Sequence, residues 1–159
     1  MNKSRVWMIV GCCGVALTAL AWSQSQRKAG LWEVTSQMTM SGMSNMPSMG
    51  SHTQQVCVTQ AMVDKYGGPY TNPPNAQCQV TNVSLTTSGM TANLTCTGRT
   101  SMTGTVTAMF VDANTTKTTV QMNMTMGNGQ QMNMTMQSTA SYKGADCGSV
   151  QPLALPQSQ

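Results

Sequence analysis

Charge is scarce in this 159-residue chain: eight Lys and Arg, four Asp and Glu, and one histidine, for a formal charge of +4. Aromatic residues make up only 4%, with a single phenylalanine. These shortages exclude whole classes of function. A nucleic-acid or anionic-membrane partner calls for clustered cations, whereas Arg27, Lys28, Lys65, Arg99, Lys117 and Lys143 are scattered. A hydrolytic triad needs a base held beside its nucleophile. The sole histidine, His52, stands beside a Gly- and Ser-rich loop, and Glu33, Asp64, Asp112 and Asp146 fall on an outward strand position or in or beside turns and a helix. There is no local pair of carboxylates and no Gly-rich phosphate loop, Gly67-Gly68-Pro69 reading as a helix stop. No Cys-x-x-Cys spacing joins Cys57, Cys78, Cys96 and Cys147, so dithiol redox chemistry is not indicated. The expectation is a protein without catalytic activity, an unrecognised hydrolase being the distant alternative.

What is present begins with a targeting segment. Lys3 and Arg5 precede an apolar run from Val6 to Leu20, and Ala19-Leu20-Ala21 has the small-x-small form of a signal-peptidase site. Residues 1–21 therefore read as a signal peptide cleaved after Ala21, with Ala21-Trp22-Ser23 as a second choice. Two other fates compete. A permanent anchor would need about 20 apolar residues, and the run from Val6 to Ala21 has 16. Lipidation at Cys12 fits Ile9-Val10-Gly11-Cys12 but would leave an apolar stub, Cys13 to Trp22, on the mature protein. The expected location is the periplasm or the exterior, with a Cys12-anchored lipoprotein as the alternative, and no membrane span after cleavage.

After cleavage the apolar inventory is unusual. There are 15 Met against ten Val, five Leu, one Phe and no Ile. Sixteen conventional core residues cannot fill a domain of this size, so methionine must supply much of the interior as an adaptable thioether filler.

Alternation of period two runs through most of the chain and signals half-buried strands. Trp32, Val34, Met38 and Met40 share one parity, opposite Glu33, Thr35, Gln37 and Thr39. A loop of Gly, Ser, Asn, Pro and Met, 41–51, leads to a second strand, 52–58. Thr59 reads as the N-cap of one short helix, 60–66, ended by Gly67. Strands at 78–85 and 90–96 face each other across 86–89, with Cys78 and Cys96 equidistant from residue 87. That spacing pairs Cys78 with Cys96 and leaves Cys57 for Cys147, in the oxidising compartment that export implies. The parity change between Val80 and Val83 calls for a bulge near Thr81-Asn82.

Strands at 102–111, 118–126 and 132–142 follow. In the last hairpin, Met122-Asn123-Met124-Thr125-Met126 is repeated as Met132-Asn133-Met134-Thr135-Met136. With residue 129 as the centre, Met126 faces Met132, Met124 faces Met134 and Met122 faces Met136, six thioethers on one side. The expected fold is all-β: an antiparallel meander of about seven strands curled into a barrel or half-barrel, with one short helix. Its inward face would carry Trp32, Val34, Val106, Phe110, Val120 and the hairpin methionines. The expected organisation is a linker at 22–29, a single disulfide-stapled domain at 30–147 and a disordered tail at 148–159.

Gly30-Leu31-Trp32-Glu33-Val34 after a signal peptide, a Met/Pro/Gly-rich loop, Cys57-Val58-Thr59 entering a helix, the Cys78 and Cys96 hairpin, Gly104, and Gly144-Ala145-Asp146-Cys147 together resemble one bacterial family. It is the exported-protein family called domain of unknown function 3617. The resemblance spans Gly30 to Cys147 and implies a small exported or periplasmic protein, without implying any activity. Ala29 stands where the family often has Pro. The Gly30-Leu31-Trp32 opening also fits the Gly-x-Trp of lipocalins, but over three residues only.

The sharpest chemical motif is the methionine loop. Met38, Met40, Met43, Met46, Met49 and His52 place five thioethers and an imidazole within fifteen residues. Soft, uncharged sulfur suits Cu(I) or Ag(I). Met38 and Met40 share the core parity, which leaves Met43, Met46, Met49 and His52 as the freer set. The competing reading is that these side chains are adaptable apolar contacts. The leading expectation is thus an exported, non-enzymatic β module with a binding or structural role and no cofactor, its partner a small hydrophobic ligand or an envelope protein. The alternative is a Cu(I)/Ag(I)-binding protein.

Overall fold

The computed structural model describes residues 27–41, 49–70, 77–97, 101–125 and 129–153. The expected signal peptide, Cys12, positions 22–26, Met43, Met46 and Met126 lie outside the described residues.

Seven strands and one helix follow in the order β1 (Gly30–Ser41), β2 (Met49–Val58), α1 (Gln60–Tyr66), β3 (Gln77–Leu85), β4 (Gly89–Thr97), β5 (Met102–Asp112), β6 (Thr115–Thr125) and β7 (Gln131–Gly144). The strands form one sheet in the order β2-β1-β7-β6-β5-β4-β3, every neighbouring pair antiparallel. The sheet is open, with β2 and β3 as its edges, so the half-barrel alternative stands and the closed barrel does not. Nor is the path a plain meander: β7 returns beside β1, and the chain crosses from one edge of the sheet to the other through α1.

Strict alternation explains the strands. In β4, buried Met90, Ala92, Leu94 and Cys96 alternate with exposed Thr91, Asn93, Thr95 and Thr97. Thr and Val favour extended backbone, and the Thr, Asn and Gln side chains solvate the outer face. There Thr95, Thr103, Asn123, Asn133 and Ser41 stand in one cross-strand row. Thr35 and Thr53 hydrogen-bond through their hydroxyls at 2.9 Å. The inner face gathers Trp32, Val34, Val106, Phe110, Val120, Met122 and Met134 into one core. Trp32 is fully buried, donates Nε1–H to the Lys28 carbonyl at 2.9 Å, and meets the Tyr142 ring edge-on at 5.5 Å between centroids.

The helix forms where its caps dictate. The Thr59 hydroxyl accepts from the Met62 N–H at 3.3 Å, and Gly67, at φ 76°, ends the helix with its N–H on the Val63 carbonyl at 2.8 Å. Met62, Val63 and Tyr66 are buried and join the inner-face core. A Cβ at Gly67 would strike the Phe110 ring, so that glycine both closes the helix and lets it settle on the sheet.

Disulfides join Cys78 to Cys96 and Cys57 to Cys147. The register of β3 on β4 slips between Thr81 and Ser84, with Asn82 at φ 52°, which is the bulge that parity called for. Three expectations need correction. The last hairpin pairs Met122 with Met134 and Met124 with Met132, two residues away from the expected register. The expected linker is already part of the fold at its end, since the Arg27 guanidinium lies 4.1 Å from the Phe110 ring centroid. The expected disordered tail is docked as far as Leu153: Pro152 forms a parallel bridge with Cys57, and the Leu153 N–H donates to the Cys57 carbonyl at 3.0 Å. Because β2 is an edge, this tail covers part of its unpaired backbone.

Candidate ligand-binding face

Cross-strand register sorts the inner face into zones. At one end, Trp32 pairs with Tyr142 and Val56, and the next row holds Phe110, Thr116, Ala140 and Val34. Helix α1 packs here. Tyr66 stacks on Tyr70 at 5.2 Å, and Arg27 donates Nη1–H to the Thr86 carbonyl at 3.2 Å while lying over Phe110. Burial lowers the Arg27 pKa and leaves its Nε without a partner among the described residues. The Tyr70 hydroxyl is also buried without a partner among them; burial, reinforced by Tyr66, pushes its pKa up to about 12.

The middle row is small and hydroxylated: Ala108, Thr118, Ser138 and Ser36, ending at His52 on the edge strand. Thr118, Ser138 and Ser36 are half-buried and His52 is exposed, so solvent reaches this belt.

Beyond it lies the methionine zone. Val106, Val120, Met136, Met38 and Met49 occupy successive register positions in one row. Gly104, Met122, Met134 and Met40 form the next, and Cys96, Met102, Met124 and Met132 the last. Met122, Met132 and Met134 are buried, whereas Met38, Met40, Met102, Met124 and Met136 remain half-exposed. Gly104 carries no side chain because a Cβ there would run into the Gln121 carbonyl of β6. Thioethers stand beside the Cys78–Cys96 bridge and reach across four strands, from β5 through β6 and β7 to β1.

The sequence-derived metal set is therefore split. Met43 and Met46 are outside the described residues. Met49 opens β2 opposite Met38, and His52 lies within β2 opposite Ser36. Met38 and Met40, expected to face the core as well, pack against it half-buried, with Met136 and Met134 as their β7 partners. Sequence reasoning missed Met102 as a member of this zone and missed the hydroxyl belt altogether. Both depend on pairings between distant segments, and only the parity of each residue was visible locally.

Catalytic constellations are thin. His52 and Ser36 are register partners, but Glu33 sits on the opposite parity of β1, in an ion pair with Lys143 at 2.8 Å. Asp64 accepts from Gln60 on the helix surface, and Asp112 and Asp146 accept from turn backbone N–H groups. No group of three or more His, Cys, Asp or Glu side chains that could hold a metal ion occurs among the described residues. No helix among them is long and apolar enough to cross a membrane.

Comparison with known proteins yields one family. A family model described as protein of unknown function (DUF3617) matches residues 27–147. No curated protein and no solved structure matches the chain.

Proposed function

This chain belongs to the family described as protein of unknown function (DUF3617), and we propose that it is an exported, non-enzymatic module that holds a small apolar ligand on the inner face of its open sheet. The observation that carries this reading is the half-exposure of Met38, Met40, Met102, Met124 and Met136 on the face that elsewhere forms the core. A domain with this little apolar material gains from burying every methionine, so a contiguous half-open thioether surface is a surface awaiting an occupant. Met side chains have three rotatable bonds and a polarizable sulfur, which suits ligands of loose shape specificity. The hydroxyl belt of Ser36, Ser138 and Thr118 borders this surface and offers donors to orient a ligand's polar end.

Two disulfides support the exported location, because such bonds persist in oxidising compartments. The non-enzymatic reading draws support from the carboxylates, each engaged away from His52. Native mass spectrometry of protein taken from the exported fraction tests the proposal, together with displacement of a fluorescent apolar probe. We expect a lipid-like adduct and a probe affinity that falls about tenfold in Met38→Gln/Met136→Gln, while Thr105→Gln on the outer face leaves it unchanged. A clean apo mass with equal probe affinity in all three proteins removes this reading.

A further inference from the structure

Cys57, Cys78, Cys96 and Cys147 are locked in disulfides, so among the described residues the sulfur open to an oxidant is thioether sulfur. Two directly opposed pairs of half-buried methionines lie on the inner face. Met38 of β1 is the Cα partner of Met136 of β7, and Met102 of β5 is the partner of Met124 of β6. Their surroundings differ. Met102 is also the partner of Cys96, and Met124 of Met132, both buried. Beside the first pair, two residues along each strand and on the same face, Ser36 and Ser138 are themselves Cα partners. The β1–β7 register runs without a slip from Trp32 to Ser41, so these four positions are fixed relative to one another. Directly opposed residues have Cβ atoms about 4.5–5.5 Å apart, and successive positions on one face of a strand are about 6.4–6.8 Å apart. Two sulfurs and two hydroxyls thus share one patch of β1 and β7. Both serines are half-buried, and neither hydroxyl has a hydrogen-bond partner among the described residues.

We infer that Met38 and Met136 form a site of reversible sulfoxidation, and that a hydroperoxide acting there releases the apolar ligand while the fold survives. The release rests on the ligand-binding reading above; the oxidation chemistry does not. A thioether lone pair attacks one peroxide oxygen. An S–O bond forms, the O–O bond breaks, and the departing hydroxide takes up a proton and leaves as water. Sulfur loses two electrons and the peroxide gains them. The product is polar and chiral where the thioether was flexible and apolar. On a surface that holds its occupant by apolar contact, the new oxygens are polar atoms that a bound ligand would bury without partners. The fold tolerates the change at this pair for two reasons. Solvent reaches both side chains, and Ser36 and Ser138 stand where their hydroxyls can donate to a sulfoxide oxygen. The neighbours of Met102 and Met124 on their face, among the described residues, are Cys96, Gly104, Met122 and Met132, none with a hydroxyl. A methionine sulfoxide reductase restores the thioether, oxidising two thiols to a disulfide and removing the oxygen as water.

The test treats the full exported chain with limiting hydrogen peroxide, maps sulfoxides by mass spectrometry and reads binding with the fluorescent apolar probe. Oxidation at Met38 and Met136 should weaken probe affinity at least about tenfold, to the level of Met38→Gln/Met136→Gln, and a methionine sulfoxide reductase should restore it. Leu for Met conserves volume and apolarity. Met38→Leu/Met136→Leu should therefore bind the probe like wild type and keep that affinity after the same peroxide dose. Met102→Leu/Met124→Leu should lose affinity on oxidation as wild type does. The thermal midpoint of oxidised wild type should stay near that of the reduced protein, and Ser36→Ala/Ser138→Ala should lower the oxidised midpoint more than the reduced one. A reduced wild-type chain that fails to bind the probe removes the ligand reading and the release together. Probe affinity that survives mapped sulfoxides at both positions, or an equal peroxide-induced loss in the two Leu double variants, overturns this inference and leaves the ligand reading standing.

Discussion

Single side chains on the inner face illustrate how burial and partnering diverge. Trp32 is sealed and satisfied, its indole N–H on the Lys28 carbonyl. Tyr70 is sealed and unsatisfied, its hydroxyl lacking a partner among the described residues. An unpaired buried hydroxyl costs about 1–3 kcal/mol, so Tyr70→Phe should be neutral or stabilising in a thermal melt, where a tyrosine with a hydrogen-bonded hydroxyl would lose stability. The pH dependence has a definite sign. Burial raises the Tyr70 pKa from the usual 10.0 to about 12, so between those values the folded state holds a proton that the unfolded state has released. Stability from this group is intact below pH 10 and declines as pH climbs toward 12. Melts across that range should show the decline in wild type and a reduced slope in Tyr70→Phe. Tyr70 itself was silent in the sequence, where it stands between the Gly67-Gly68-Pro69 stop and the Asn72-Pro73-Pro74 stretch.

Elements built from local rules were the most legible. Thr59 before an apolar pair, and Gly67-Gly68-Pro69 after Tyr66, located α1 at the residues where it occurs, because caps act within one turn. The β3–β4 hairpin and its bulge were readable from the spacing of Cys78 and Cys96 and from one parity break. The β6–β7 hairpin was misregistered by two residues, yet Met122, Met124, Met132, Met134 and Met136 were assigned to the correct face, since a shift of two preserves parity and a shift of one does not. The pairing of β1 with β7 had no local signal: Met38 and Met136 come together only when the sheet does. The methionine zone was therefore visible as two separate motifs and not as one surface. Gly67 offers a test at this scale. A side chain there meets both a left-handed backbone and the Phe110 ring, so Gly67→Ala should lose on the order of 1–3 kcal/mol in denaturant unfolding. Gly50→Ala, with open space around its Cβ position, should stay within about 0.5 kcal/mol of wild type.

For the whole molecule, the open sheet is held at its edges. Helix α1 ties edge strand β2 to edge strand β3, and the Cys57–Cys147 bridge fastens β2 to the segment after β7. The two disulfides enclose very different lengths of chain, with sequence separations of 90 and 18 residues. In the chain-entropy account their stabilisation is about 4.6 and about 3 kcal/mol respectively. Replacing Cys57 and Cys147 by Ser should therefore lower stability more than replacing Cys78 and Cys96. It should also release the docked tail, measurable as faster amide exchange at Leu153. The reverse order of stabilities would mean that the hairpin bridge, beside the methionine zone, carries native-state contacts beyond loop closure.

Oxidative footprinting of the methionines, resolved residue by residue by mass spectrometry, is the most direct test of a half-open thioether face on the inner side of the sheet. Met109, 59% exposed on the outer face, is the internal reference. Under limiting peroxide, Met109 should oxidise first, then Met38, Met40, Met102, Met124 and Met136, with Met122, Met132 and Met134 last. An apolar probe should protect the middle group and leave Met109 unprotected. Oxidation of Met122 and Met134 as fast as Met109, or an order in which the two hairpin motifs behave alike at every position, would contradict the account.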